Sequence, residues 1–321
     1  MGTDTLLWRR ADWLAEAVGW IEAALERLGL RATGQVEQVH VRPWSTVLRI
    51  PTASGAVWFK ACMPELAHEV AVVEVLSRRR PDCLPGLLAA DAGRGWMLQA
   101  DGGTRLRELL ENEPGHRRWT EILSRYAQLQ IDAAEVTQEL RRVGAPDRGP
   151  AALPAAYDGL LGRQRGLESD ILARLYELAP RIAELCRELA ALGLPETIQH
   201  DDLHSGNVFV HNGRYLFFDW GDACVAHPFL TLHVTRRVLA YELGLEEGAR
   251  ELDCFRDAYL EPWTAFRPLH ELVPAVPAAD LLGAVGRALN WQLVADATPP
   301  ADRGEYDEAV ADRLRLLAER L

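Results

Sequence analysis

Apolar residues recur at Leu14, Val18, Ile21, Leu25 and Leu28, a three-and-four spacing that predicts an amphipathic helix over residues 11–28, ended by Gly29. The period then shortens. Residues 36–41, 45–50 and 56–61 are β-branched or aromatic runs divided by Pro43 and a turn at 52–55, and they predict antiparallel strands. Residues 65–79 return to helical spacing through Leu66, Val70, Val73 and Leu76, and two further strands are expected at 87–90 and 96–99. From about residue 104 the pattern is helical. A long periodic segment covers 117–143, a loop rich in Pro, Gly and Ala covers 144–154, and a helix covers 180–192 with Pro180 near its first turn. Three or four helices are expected after residue 228. One island interrupts them: two short apolar runs, 207–210 and 214–218, flank His211-Asn212-Gly213, and Asn-Gly between such runs predicts a hairpin.

Composition narrows the class without choosing a function. The chain has 321 residues, 48% hydrophobic and 26% charged, which excludes a disordered or collagen-like protein. Its net charge of −12 disfavours a nonspecific nucleic-acid binder. Five scattered cysteines without a C-x-x-C pair predict neither a disulfide framework nor a zinc ribbon, but small buried hydrophobes in a reducing compartment. No signal peptide and no run of eighteen apolar residues is expected, so the chain reads as cytoplasmic, without a membrane partner, and as a monomer or homodimer. Lysine occurs once, at Lys60, against 34 arginines, which marks a position where a guanidinium is a poor substitute.

The densest chemistry lies in Ile198-Gln-His-Asp-Asp-Leu-His-Ser-Gly-Asn207 and, beyond the hairpin, Phe218-Asp219-Trp-Gly-Asp222. A tight loop can hold Asp202 and Asn207 around one small volume, and the hairpin can return Asp219 toward them. Phosphoryl transfer asks for this set: a carboxylate to orient and deprotonate a hydroxyl, and oxygen ligands for Mg²⁺ on nucleotide phosphates. A pair of metal-binding histidines at 200 and 204 is the competing reading, disfavoured because Gly206 and the following strand break a helix there.

The run His200-Asp-Asp202-Leu-His-Ser-Gly-Asn207 with Phe218-Asp219-Trp-Gly resembles the catalytic loop and metal motif of aminoglycoside phosphotransferases and their relatives, choline and homoserine kinases included. These are similar in fold to protein kinases. The resemblance implies an α+β, bilobal kinase-like fold: a small antiparallel sheet with a helix over 1–98, preceded by an extra N-terminal helix, and a helical lobe over 99–321. It implies Asp202 as the catalytic base and Asn207 and Asp219 as Mg²⁺ ligands. Asp201 departs from the pattern, standing where the family usually has Gly. Its side chain is expected to point away from that of Asp202, as neighbours in an extended loop do.

Lys60, on the apolar strand Ala-Val-Trp-Phe-Lys-Ala, fits the lysine that holds the α- and β-phosphates in such folds. Of Glu65, Glu69 and Glu74 on the next helix, the resemblance matches Glu69 to its ion-pair partner. No G-x-G-x-x-G covers the phosphates, and Ser45 is the candidate in the Arg42-Pro-Trp-Ser-Thr46 turn. By the resemblance, residues 95–103 form the hinge, where Met97 guards the back of the nucleotide pocket and Leu98 and Ala100 offer backbone groups to a purine edge. Trp58 shares a strand face with Lys60 and is expected to stack on the purine. The expected activity is transfer of the γ-phosphate of ATP or GTP to a hydroxyl of an antibiotic, sugar or amino alcohol, with a role in antibiotic resistance among the possibilities. The alternatives are a nucleotide-binding pseudokinase or partner-binding module, which retention of all four motif residues disfavours, and a protein kinase, which lacks its activation segment here.

Overall fold

The computed structural model describes residues 6–111 and 115–320. In the first hundred residues the elements are α1 (Ala11–Arg27), β1 (Glu37–Val41), β2 (Ser45–Thr52), β3 (Gly55–Cys62), α2 (His68–Arg79), β4 (Leu87–Asp91) and β5 (Trp96–Ala100). The middle holds β6 (Thr104–Arg105), α3 (Leu106–Leu110), α4 (His116–Ala133), α5 (Thr137–Arg142), β7 (Asp147–Arg148), α6 (Leu153–Leu161) and α7 (Ser169–Ala191). Then come β8 (Thr197–Gln199), β9 (Val208–His211), β10 (Arg214–Phe217) and β11 (Cys224–Ala226). The chain ends in α8 (Leu232–Leu243), α9 (Asp253–Leu260), α10 (Leu269–Leu272), α11 (Val276–Ala297) and α12 (Gly304–Arg320).

These elements form two compact units. One runs to Thr104 and takes in Phe209–Gly221; the other comprises Arg105–Val208 and the chain from Asp222 onward. A division at residue 98 falls inside β5, and the hairpin expected in the helical lobe clusters with the first unit. The hairpin itself turns through Asn212 and Gly213, both at positive φ, 50° and 74°, the left-handed pair that Asn-Gly adopts readily.

In the first unit a five-stranded antiparallel sheet has the order β1-β2-β3-β5-β4. Alternation along β3 divides its side chains. Val57, Phe59 and Ala61 are buried on one face, and there Trp13 and Trp20 of α1 meet Phe59 and Trp96 with ring centroids 5.6–6.4 Å apart. Tilted and edge-to-face contacts of this kind contribute about 0.5–1.5 kcal/mol each beyond area burial. Trp58 and Lys60 lie on the opposite, less buried face, where Arg49 and Gln99 flank Trp58 and Val47 and Met97 flank Lys60 across the register.

The second unit is helical around a short sheet of order β7-β11-β8. Three features differ from the sequence expectation. Helix α7 begins at Ser169, so Pro180 is internal. The carbonyl its ring cannot bond is that of Tyr176, half-exposed at the surface, where water can satisfy it. Among the described residues five helices rather than three or four follow residue 228, because the short α9 of eight residues and α10 of four stand between longer ones. The helical run Leu269–Ala297 is long and apolar enough to cross a membrane by length and composition, with half of its most apolar window buried within the protein. Of the five cysteines, four are buried and Cys254 is exposed.

Candidate active site

In the first unit, β3 carries Lys60 and α2 carries Glu69 in its first turn, so the two meet across the sheet face. Lys60 Nζ donates to Glu69 Oε1 at 2.7 Å and to Asp219 Oδ1 at 2.6 Å. The two carboxylates are not equivalent. Glu69 is 1% exposed and saturated: Oε1 also accepts from the Trp220 backbone N–H at 3.0 Å, and Oε2 accepts from Cys62 Sγ at 2.8 Å. Asp219 is 46% exposed. Burial works to lower the Lys60 pKa, but Asp219 and Glu69 overcome it and hold the amine well above its ordinary value. Burial pushes the Glu69 carboxyl up, against the opposing charge of Lys60.

Asp219 has φ +65°, a left-handed conformation that Asp tolerates better than most residues. Ser45 opens β2, buried at 5% exposure, opposite Cys62 and therefore on the face of Lys60. Trp58 Nε1 donates to Asp101 Oδ2 at 3.0 Å, which pins the indole to the turn after β5. The residue packed on α1 is its neighbour Phe59.

The expected hinge needs one correction. Met97 is buried directly across from Lys60, but Leu98 points into the core and its backbone lies in the sheet between β3 and β4. The Ala100 N–H is already donated to Gly86 O at 2.7 Å. In this arrangement neither amide is offered to a purine edge, because pairing on both sides of β5 consumes the strand's polar groups.

The second unit builds the loop between β8 and the hairpin. Asn207 Nδ2 donates to the Asp202 carbonyl at 3.0 Å and to Asp202 Oδ2 at 3.1 Å, so the two motif residues share one small volume. Gly206 permits the tight path: a Cβ there would stand 2.7 Å from His204 Cε1 and 2.8 Å from Arg107 Nη2. The other Asp202 oxygen accepts from Arg287 Nη2 at 2.9 Å, and His204 Nε2 lies 3.4 Å from Oδ2. Burial favours the protonated Asp202, but Arg287 and then His204 outweigh it and hold the carboxyl well below the usual range. Arg287 also donates to the Asp222 carboxylate and, at 3.2 Å, to the Asp201 carbonyl.

Asp201 does not occupy an extended loop. Its φ is +58°, the region that glycine enters at no cost, and its side chain is 3% exposed. What holds it is a buried polar set absent from the motif. Asn290 Nδ2 donates to Asp201 Oδ2 at 2.5 Å, and Arg148 Nη1 lies 3.4 Å from the same oxygen while donating to Gly286 O at 2.9 Å. Arg148 also bonds the Asn290 side chain. Burial pushes the Asp201 carboxyl up to about 7, with Arg148 and Arg287 opposing.

Two outcomes follow. Asp201→Gly relieves the left-handed backbone but strips Arg148 of its carboxylate, and urea unfolding at pH 7 is expected to show a net loss of about 1–3 kcal/mol. A gain in stability would mean that backbone strain outweighs the network. Because the folded-state pKa lies above the unfolded value, the Asp201 contribution is complete below about pH 4 and is lost as pH rises through 7. Wild type is therefore expected to lose stability relative to Asp201→Asn across that window.

Arg148, Arg287 and Asn290 carry no motif and lie more than fifty residues from the loop in sequence. The one readable sign is the spacing on α11, where 286 and 290, and 287 and 291, are successive turns of one helix face. Elsewhere in the second unit, Trp263 is buried against Phe229 and Phe266, and Asp257 is paired with Arg256. Asp222 meets Arg287, and Glu242 meets Ser205 in the loop itself.

The sequence model of the phosphotransferase enzyme family matches residues 25–272, and the chain belongs to that family. Solved structures agree on the fold. Plasmodium vivax ethanolamine kinase superposes with a TM-score of 0.64 at 13% identity, over 97% of this chain and 91% of that one. The GDP complex of aminoglycoside 2'-phosphotransferase-IIIa gives 0.61 at 12% identity, over 94% and 98%. Macrolide 2'-phosphotransferase MphH from Brachybacterium faecium gives 0.54 at 14%, over 92% and 97%. Among curated proteins none matches the chain significantly. The α+β, kinase-like class expected from the sequence is thus the fold observed, and the chemistry of the class is phosphoryl transfer.

Proposed function

We propose that this protein transfers the γ-phosphate of ATP or GTP to a hydroxyl of a small molecule, with Asp202 as base. The observation that carries the reading is the chain's single lysine, held on a sheet face by one sealed carboxylate and one half-exposed. Lys60 engages two of its three N–H groups there, and an incoming nucleotide can take the place of Asp219 while Glu69 keeps the amine aimed. Ser45 supports the phosphates, Trp58 stacks on the purine with its edge fixed by Asp101, and Met97 closes the pocket behind it.

The donor set suits magnesium. Asp219 offers carboxylate oxygen, and Asn207, whose N–H₂ is spent on Asp202, offers an amide oxygen. Bound there, Mg²⁺ supplies neutralisation of charge on the β- and γ-phosphate oxygens. Asp202 receives the hydroxyl proton as the new O–P bond forms and the bond to the β-phosphate bridging oxygen breaks. A carboxylate held this acidic is a weak base, suited to orienting the hydroxyl and taking its proton late.

The test is nucleotide consumption against a panel of hydroxylated antibiotics, sugars and amino alcohols, with Asp202→Asn as the blank. Nucleotide binding with no acceptor ever phosphorylated would instead indicate a binding module. Lys60→Arg is expected to lower kcat/KM by about 10-fold or more, since a planar fork replaces a compact ammonium between phosphates. Wild-type kinetics in that variant would remove the observation on which the reading rests.

A further inference from the structure

Beside Asp202, Arg287 is paired with the carboxylates of Asp202 and Asp222, whereas the second guanidinium on its neighbouring indole is not ion-paired among the described residues. Arg287 reaches Asp202 and, one helical turn on, stands 5.9 Å from the centre of the Trp291 ring. Arg313 of α12 stacks on that same indole at 4.7 Å. Its only hydrogen bond among the described residues is one from Nη1 to Ala309 O at 2.7 Å within its own helix, and no carboxylate lies within ion-pair distance. The group is half-buried. Burial, Arg287 and Arg237 all work against its charge and bring its pKa down to about 10, with Asp312 and Asp222 opposing. Arg237 itself is occupied by Glu247 at 2.9 Å. Tyr306 lies nearly parallel to Trp291, ring centroids 6.4 Å apart, and fixes the plane of the indole.

A guanidinium kept partly out of water, next to like charges and without a counter-ion, is costly unless something supplies one. It has free N–H groups in a planar fork that matches carboxylate or phosphate oxygens. We propose that the acceptor is a hydroxylated molecule bearing an anionic group, carboxylate or phosphate, which Arg313 binds on the face of Trp291 while the hydroxyl reaches Asp202. This rests on the phosphotransfer reading for the second half of the statement only; the anion site stands on the arginines themselves.

Calorimetric titration of inorganic phosphate and, separately, acetate into the protein saturated with ADP tests the site, with the nucleotide's own phosphate positions filled. At least one anion is expected to bind, and the tighter one identifies the head group. Arg313→Gln keeps the stem against Trp291 but loses the charge, and is expected to weaken that binding by about 10-fold or more, with Arg313→Lys recovering part. Circular dichroism confirms that the variants fold. Binding of neither anion, or equal binding by Arg313→Gln, overturns the proposal. In turnover, hydroxy acids or sugar phosphates are expected to consume nucleotide ahead of cationic amino sugars. The opposite order overturns this inference and leaves phosphotransfer intact, whereas anion binding through Arg313 with no turnover of any acceptor supports the site and sinks the phosphotransfer reading.

Discussion

Asp202→Asn is expected to lower kcat by about 10²–10⁴-fold while nucleotide affinity changes little, the range for losing a positioned acid–base group. The substitution is close to isosteric. Asn207 can still donate to the side-chain oxygen and to the backbone carbonyl of residue 202, so the loop keeps its shape. What disappears is the acceptor for the hydroxyl proton and the charge facing Arg287. Asp201→Asn is the matched control: it lies one residue away, buried against Asn290 and Arg148, and should alter stability far more than rate. Reversed effects would move the base by one residue. The pH profile offers a second check. Since Arg287 holds the Asp202 carboxyl well below the usual range, Asp202 stays ionised as pH falls to about 5, and its titration should leave kcat/KM flat there. An acid limb centred in the ordinary carboxylate range would assign the base to a different group.

The second large effect is expected at Asp219. Asp219→Ala should cost about 10²–10³-fold in Mg²⁺-dependent turnover, the scale for removing one preorganised electrostatic partner of the transferring group. Lys60 retains Glu69, whose bonds to Trp220 and Cys62 do not involve Asp219, so the first unit should keep its fold. Asp219 adopts φ +65°, and Ala tolerates that region less well than Asp or Asn. Asp219→Asn therefore separates the causes: it keeps the backbone preference and loses the charge. Nucleotide binding measured by calorimetry with and without Mg²⁺ should show the metal dependence lost in both variants. An unchanged dependence in Asp219→Asn would exclude the residue as a ligand.

Both effects were readable in outline from the chain. Asp202 and Asn207 are five residues apart, and a loop that short has few ways to fold, so spacing determines that they meet. The lone lysine and the period-two pattern around it place Lys60 and Trp58 on one face of β3, and Phe59 on the other. The Asn-Gly turn and the amphipathic α1 are likewise local consequences of backbone preference and hydrophobic period. Pro180 shows the limit of such rules. Its ring marks a helix start by local preference, yet the buried Leu175 and the packing of α7 carry the helix through it.

What only the tertiary structure decided is how the charges are apportioned. Helical position alone does not separate Glu65, Glu69 and Glu74, and only the resemblance favours Glu69; packing leaves Glu69 sealed beside Lys60. Sequence places an aspartate where the family usually has glycine, and only the fold supplies the Arg148–Asn290 set that makes a left-handed, buried Asp201 tenable. Arg287 and Arg313 lie on helices far along the chain, and only the docking of those helices sets Arg287 on Asp202 and both guanidinium groups on Trp291. Periodicity reports which face of an element is buried, because that depends on neighbours one turn or two residues away. Which charge stands opposite which depends on the docking of elements distant in sequence, and a Coulomb interaction in a half-buried site is set by that distance and burial rather than by residue type.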